Sequence, residues 1–392
     1  MKEVVIVSAK RTPIGKLNGN LRKVSAKELA KTAMKAAVEE ARLDPREIDQ
    51  IIAGNVDMPS DASNIGRIAA LELGFPAGIP AYMTAQNCAS GLQAVISGTQ
   101  AIKAGDAEVC LAVGTESMSQ IPYILRGARE GFGARHQQLT DRVWEMLYDP
   151  FVHMMMGETA EVLAEEHGIT REEQDEYALS SYEKARKAQF SGVFERECCP
   201  VTIRDRKGNT AVVDKDELPA EPMTLERLAG MKAAFKKDGT VTAGNSCGMN
   251  DGAASVLLMC REKAEQLGVR PLAKIVSYAT VGVDPKRMGL GPAYAVPKAL
   301  EKAKLSIEDI GLFELNEAFA AQTLACLKML GIERERVNPF GGAIALGHPV
   351  GATGTRLVVT LLNGLHSYGK RYGVATLCVG GGLGVALVVE RL

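Results

Sequence analysis

Histidine and tryptophan are scarce here: five and one among 392 residues, with aromatic residues at only 5%. A histidine set in an unusual pattern is therefore informative. Excess charge of one sign is absent too, since 46 basic residues face 47 acidic ones. That balance removes the electrostatic case for nucleic acid or an anionic membrane as the main partner. None of the eight cysteines forms a CxxC pair, and the Cys198–Cys199 doublet lacks zinc-ligand spacing, so no metal site is expected. Eight scattered cysteines in so long a chain also argue against a disulfide framework, and reduced thiols in the cytoplasm are expected. No apolar run has the length of a membrane span. Val4–Val7 is too short for a signal segment. The C-terminal VALVVERL reads as a strand without a lipidation signal. Glycine, by contrast, is abundant at 40 residues, many beside polar or reactive ones. That pattern fits backbone approaching a ligand closely. Hydrophobic residues make up 46%, enough for a large core, and the length suggests two domains.

An internal repeat organises the chain. Lys35–Asn55 (KAAVEEARLDPREIDQIIAGN) resembles Lys298–Glu317 (KALEKAKLSIEDIGLFELNE): each is an amphipathic helix, a short acidic link and an apolar strand. VCLAVGTESM (Val109–Met118) and VATLCVGGGLG (Val374–Gly384) are matching buried-strand runs that end in small residues. Alternating helices and strands predict two similar α/β domains packed face to face. The first comprises residues 1–118 plus 249–268 and the second residues 269–392. The more polar residues 119–248 between them form an inserted loop domain, a natural place for a substrate lid or subunit contact. Within it, Arg126–Asp141 reads as a loop excursion and Arg204–Pro219 as a hairpin and loop. Thr170 reads as an N-cap followed by Glu172 and Glu173 in the first turn.

Four glycine-flanked segments carry reactive side chains. In Gln86-Asn-Cys-Ala-Ser-Gly91, Cys88 lies where a strand-like stretch gives way to helical spacing (Leu92, Val95, Ile96, Ile102). A helix N-terminus there would stabilise thiolate and lower the thiol pKa; the bland alternative is a small core cysteine. Asn316-Glu-Ala-Phe-Ala320 offers an amide that can hold a water or polarise a carbonyl, or else a helix N-cap. In the run Gly341 to Gly354, His348 is the one histidine set among glycines, suited to act as a general base or oxyanion donor; the alternative is a surface-loop histidine. In Leu377-Cys-Val-Gly-Gly-Gly-Leu-Gly384, glycine N–H groups follow Cys378 and can point at an oxyanion, or form only a tight turn. Cys110, mid-strand among apolar neighbours, illustrates an inert thiol. Together these segments suggest a composite site between two domains.

These motifs, in this order, resemble the thiolase family over essentially the whole chain: SAKRTPIGKLNG, NCASG, GTESMS, TAGN…NDGAA, NEAFA, GGAIALGHPVGATG and CVGGG. The related β-ketoacyl synthases usually pair cysteine with two histidines, or with histidine and asparagine, so the second cysteine argues for a thiolase. The resemblance implies the five-layer α-β-α-β-α thiolase fold and reversible Claisen condensation of two acyl-CoA molecules, or thiolysis of a 3-oxoacyl-CoA. Cys88 is then the nucleophile, His348 its base, and Cys378 the base at the substrate α-carbon. Asn316 holds a water beside His348, and the N–H groups of Cys88 and Gly380 form a second oxyanion hole. CoA binding falls on Leu147, Met156, Ala234, Phe235, Ala243, Cys247, Ala318 and Phe319. CoA and acyl-CoA are substrates, with no tightly bound cofactor. Lys232, Lys236 and Lys237 either screen CoA phosphates or form a solvated turn. The family is usually a dimer or dimer of dimers, and Arg126–Asp141 resembles its tetramer loop, so a homotetramer is expected. Three positions depart from the pattern. Met155 stands where short-chain biosynthetic members carry histidine, with His153 displaced by two residues. Cys247 replaces a pantetheine-contacting serine, and Ala220 an arginine. Competing readings are a 3-ketoacyl-CoA thiolase of longer chain preference, a carrier-protein-dependent synthase, and a catalytically silent CoA or lipid carrier.

Overall fold

The computed structural model describes residues 2–134, 136–204 and 207–392. The readings of Arg126–Asp141 and Arg204–Pro219 include Arg135, Asp205 and Arg206, which lie outside the described residues. The main strands are β1 (Val4–Arg11), β2 (Gln50–Gly54), β3 (Ala81–Thr84), β4 (Val109–Ser117), β5 (Asn250–Cys260), β6 (Ala273–Gly282), β7 (Ile310–Leu315), β8 (Tyr372–Val379) and β9 (Leu383–Arg391). The helices that matter for the site are α1 (Ala26–Glu40), α2 (Ser90–Ala104), α3 (Met156–Glu166), α4 (Arg171–Phe190), α5 (Gly291–Ala303), α6 (Ala320–Leu330) and α7 (Val350–Ser367).

The repeat seen in the sequence is a repeat of topology. In the first half β3-β2-β4 are parallel neighbours, and β4, β5 and β1 continue antiparallel. In the second half β7-β8 are parallel, and β8, β9 and β6 continue antiparallel. Even the bulges correspond, between Ile6 and Ser8 in β1 and between Ile275 and Ser277 in β6. Where the sequence predicted halves packed only face to face, they also meet edge to edge. β1 pairs with β6 through Val5↔Lys274 and Ile6↔Ala273, making one nine-stranded path, with the short strand Gly15–Lys16 added beside β5.

Three apolar cores separate five layers. α1 buries Ala30, Met34 and Ala37, one face at helical spacing, against Ile51, Leu111 and Leu257. α5 and α6 cover the opposite outer face with Val296, Leu300 and Leu324 against Phe313 and Val374. Between the halves lie α2 and α7, where Leu92 and Val95 meet Leu357, Leu361 and the inner faces of both halves. Sixteen consecutive residues of α7, Val350 to Leu365, are buried. A helix buried on all sides belongs in a central layer, and this one occupies it, with its one buried arginine, Arg356, paired to Glu314 at 3.2 Å.

The insertion holds short hairpins and two longer helices. Tyr123–Leu125 pairs with Leu139–Asp141, so the predicted loop excursion is bounded by a hairpin. Val201–Arg204 pairs with Thr210–Val213, where a hairpin was predicted. Thr170 caps α4 in a capping box with Glu173. No helix among the described residues is long and apolar enough to cross a membrane.

Candidate active site

β3 ends in a tight polar elbow. Ser90 donates from Oγ to the Asn87 carbonyl at 2.7 Å and accepts the Gln86 N–H at 2.9 Å, while Thr84 Oγ1 donates to the Ser90 carbonyl at 3.0 Å. Asn87 takes a positive φ of 45° to make the corner. The elbow leaves Cys88 half-buried, just before the Ala89 N-cap of α2. The expected lowering of its pKa does not prevail. Burial, the largest influence, pushes the Cys88 thiol up; N–H groups of Gly380 and of Cys88 itself pull it down, and nearby Glu116 pushes it up again. Cys88 therefore rests as a neutral thiol, which would need a base before it could act as a nucleophile.

His348 is buried, not a surface-loop residue. Its backbone N–H donates to Asn250 Oδ1 at 3.0 Å, so β5 of the first half holds a loop of the second. Gly347 is required before it: φ is +105°, and a Cβ would lie 2.2 Å from Asn250 Cγ. Thr353 Oγ1 donates to the Pro349 carbonyl at 3.0 Å and therefore accepts the His348 Nδ1–H, 2.6 Å away. Asn316 Nδ2 lies 3.4 Å from Nε2. Both neighbours fit one tautomer, with a bare Nε2 facing the site. Burial, then the charge of Arg356, pushes the imidazole pKa down to about 3, so it rests neutral with Nε2 unprotonated.

Asn316 is no helix N-cap, because α6 begins at Ala320 with Phe319 in that place. It follows β7 directly, its N–H bonded to the Thr376 carbonyl at 3.0 Å. Its buried Oδ1 has no partner among the described residues and is free to accept from a bound water. Cys378 closes the set from the end of β8, buried among Met156, Phe235 and Phe319. Burial pushes its thiol well up, and Cys88, Cys326 and Cys247 add to the rise. The glycine turn beyond it is held by Asn87 Nδ2, which donates to the Gly380 carbonyl at 2.8 Å. Gly381 and Gly382 take φ of +89° and +82°.

Two cavities share Leu147, Met156 and Val350 as a common wall. One, of about 260 Å³, is lined by Cys88, Gly380, Asn87 and Val56. The other, of about 580 Å³, is lined by His348, Met155 and seven residues predicted to bind CoA: Leu147, Met156, Ala234, Phe235, Ala243, Cys247 and Phe319. Ala318, the eighth, contributes its carbonyl, which accepts the Cys247 N–H at 3.0 Å. Of the departures, Met155 and Cys247 line this wall. His153 is exposed and bonded to Tyr148, so it takes no place in the wall. Burial, then Cys88, raises the Cys247 thiol to about 12. Lys232, Lys236 and Lys237 are exposed, and Lys236 pairs with Glu165 at 3.2 Å. Ala220 is exposed four residues after Asp216, whose carboxylate grips Arg11 at 2.7 and 2.9 Å.

Sequence reasoning missed the residues that hold this arrangement: Asn250, Thr353 and Glu116. For Glu116 a signal existed, a lone charge inside the apolar run VCLAVGTES, which a buried strand admits only if donors surround the carboxylate.

Comparison with known proteins places this geometry. Residues 4–262 match the family described as thiolase, N-terminal domain, and residues 269–391 the thiolase, C-terminal domain. The chain is 47% identical to the acetyl-CoA acetyltransferase of Cupriavidus necator over 392 residues, covering 100% of both. It superposes on the crystal structure of Bacillus anthracis acetyl-CoA acetyltransferase with a TM-score of 0.98 at 49% identity, covering 100% of this chain and 99% of that one. Human mitochondrial 3-ketoacyl-CoA thiolase in complex with CoA gives 0.96 at 41% identity, covering 100% and 98%.

Proposed function

Because the chain belongs to the thiolase family, we propose that Cys88, His348 and Cys378 carry out its acyl transfer, with acetyl-CoA as the preferred substrate. The enzyme is an acyltransferase of acyl-CoA thioesters. Cys88 attacks the thioester carbonyl, its proton passes to His348 Nε2, and His348 returns that proton to the CoA sulfur, which departs as the thiol. A second acetyl-CoA then loses an α-proton to the Cys378 thiolate, whose own proton has gone to His348 Nε2, and the resulting carbanion attacks the acyl carbonyl. The bond to Cys88 breaks, its sulfur takes a proton back from His348, and acetoacetyl-CoA is released. Run backward, CoA thiolate cleaves a 3-oxoacyl-CoA. The Cys88 and Gly380 N–H groups stabilise one oxyanion, and His348 with an Asn316-held water the other. Both act on charge that develops during reaction, so they accelerate it instead of tightening binding alone.

The observation that carries this reading is that Cys88 and Gly380 line one cavity and the buried His348 lines the next, with Leu147, Met156 and Val350 as their common wall. The apolar walls of the cavity of about 580 Å³ suit the pantetheine arm of CoA. Acetyl as the transferred group rests on relatives that are acetyl-CoA acetyltransferases. The division into residues 1–118 plus 249–268, 119–248 and 269–392, with the insertion carrying CoA and tetramer contacts, belongs to the same proposal. Eight free thiols support a cytoplasmic setting.

The test separates the half-reactions by mass spectrometry of the acyl-enzyme and by thiolysis of acetoacetyl-CoA against longer 3-oxoacyl-CoA substrates. Cys88→Ala abolishes the acyl-enzyme. Cys378→Ala acylates but does not condense. Equal loss of both half-reactions in Cys378→Ala sinks the division of labour, and faster thiolysis of longer chains overturns the acetyl preference.

A further inference from the structure

Glu116 sits near the end of β4, 1% exposed, in a strand whose other members are buried and almost all uncharged. A carboxylate so placed is costly unless donors surround it. Four N–H groups do. Oε1 accepts from Asn55 Nδ2 at 2.7 Å and the Asp57 N–H at 3.3 Å; Oε2 accepts the Val56 N–H at 2.9 Å and the Gly351 N–H at 3.1 Å. The first three belong to the loop after β2. The fourth belongs to the opening turn of α7, in the other half of the molecule.

That fourth bond supplies something α7 lacks. Its N-cap is Pro349, which has no side chain able to accept from the first turn. Glu116 provides the missing acceptor from across the interface; burial raises its pKa to about 7, and its ionised form places a negative charge at the positive end of an eighteen-residue helix. Gly351 permits the approach, since a Cβ there would lie 2.7 Å from Glu116 Oε2 and 2.6 Å from the Thr115 carbonyl. His348 is three residues upstream, and its own N–H is held by Asn250 at 3.0 Å. The segment carrying the imidazole is thus pinned at both ends by acceptors on the adjacent strands β4 and β5.

We propose that Glu116 is a positioning residue for the acyl transfer: it caps α7 from the opposite half and so fixes the His348 imidazole against Cys88. The inference rests on the roles proposed above for Cys88 and His348. The charged and titratable groups around Glu116 are Asp57, with Arg142 behind it at 3.3 Å, and Cys88 on the elbow before α2. On the side of α7 stand His348 and, farther along the helix, Arg356. Because Glu116 also opposes ionisation of Cys88, removing its charge moves two observables in opposite senses.

The experiment compares wild type with Glu116→Gln in three measurements: the single-turnover rate of Cys88 acylation by acetyl-CoA, the KM for acetyl-CoA, and the pH profile of Cys88 alkylation by iodoacetamide. Acylation should fall about tenfold, the scale of a lost helix cap, while KM stays within about twofold and the alkylation profile moves to lower pH. A thiol that ionises more readily yet acylates more slowly is the signature of a misplaced base, which general loosening of the fold does not produce. Wild-type acylation overturns the inference. So does a joint collapse of rate and KM with an unmoved alkylation profile. If Glu116→Gln does not fold, Asn55→Ala decides: it keeps the charge but removes one of the donors that aim it, so acylation should fall with an unchanged alkylation profile, and unchanged acylation overturns the proposal. Cys88→Ala serves as the control. If that variant still forms an acyl-enzyme, the assignment of the nucleophile has failed, and not the role of Glu116.

Discussion

An imidazole whose pKa burial has pushed to about 3 is neutral around pH 7. Its usefulness as a base then depends on which nitrogen carries the proton. Thr353 settles that: its hydroxyl proton is committed to the Pro349 carbonyl, so Oγ1 accepts from Nδ1 and leaves Nε2 bare. Thr353→Val keeps the shape and removes the acceptor. Acylation of Cys88 is expected to fall about tenfold, the worth of one hydrogen bond to a buried ring, with little change in KM. The acid limb of the wild-type pH–rate profile should show no inflection near 6.5 from this residue, because its folded pKa lies far below that value. Stopped-flow acylation across pH 5–9 checks both; an inflection near 6.5 that disappears in Thr353→Val would refute the buried, neutral assignment.

At the scale of elements, the site depends on how closely two helices begin beside each other. α2 opens after Cys88 and α7 after His348, and their first turns touch through glycines. A Cβ on Gly354 would come within 2.4 Å of the Leu92 N, and one on Gly91 within 2.6 Å of Thr355 Oγ1. Backbone atoms on both sides leave neither helix room to yield. Gly354→Ala is therefore expected to lose about 1–3 kcal/mol of stability, the usual cost of overpacking, and to separate base from nucleophile. Urea unfolding with a parallel acylation assay tests this, and a variant of wild-type stability would show that the helices can slide apart freely. This also separates what was legible in the sequence from what was not. Cys88, His348 and Cys378 stood out because each breaks a local pattern, a reactive side chain among glycines. The Thr170 cap and the repeated helix–strand units were legible for the same reason, as short-range periodicity. Asn250 and Glu116 were not, because each acts on a backbone group 98 or 235 residues away. The sign of the Cys88 shift was misread too. The elbow and the glycine N–H groups are local, whereas the burial that outweighs them comes from the packing of two halves.

For the whole molecule, the consequence is that neither half is self-sufficient. The central layer is shared: α7 belongs by sequence to residues 269–392, yet Leu357 and Leu361 lie in one core with Leu92, Val95 and Ile96 of α2 and with Ile6 of β1. β1 in turn pairs along β5 for seven residues and reaches β6 for two, binding the first and last thirds of the chain into one sheet. A fragment of residues 269–392 would expose the face of α7 that carries Leu357 and Leu361, and so large an apolar face does not stay in water without cover. The fragment is therefore expected to aggregate or to remain without fixed tertiary structure, while the full chain unfolds in one transition. Part of the insertion stands apart: its short hairpins and exposed Tyr123, Leu139 and Phe151 contribute little to the three cores, whereas Leu163 of α3 and Tyr177 and Ala178 of α4 are buried in one of them. Limited proteolysis should cut first within residues 119–248 and leave the other two segments associated. Near-ultraviolet circular dichroism of the fragment and mass spectrometry of the early cleavage products test this together. A fragment that folds alone, or first cuts inside β4 or α7, would mean that the halves are independent domains and that their shared central layer is a consequence of docking, not a condition for folding.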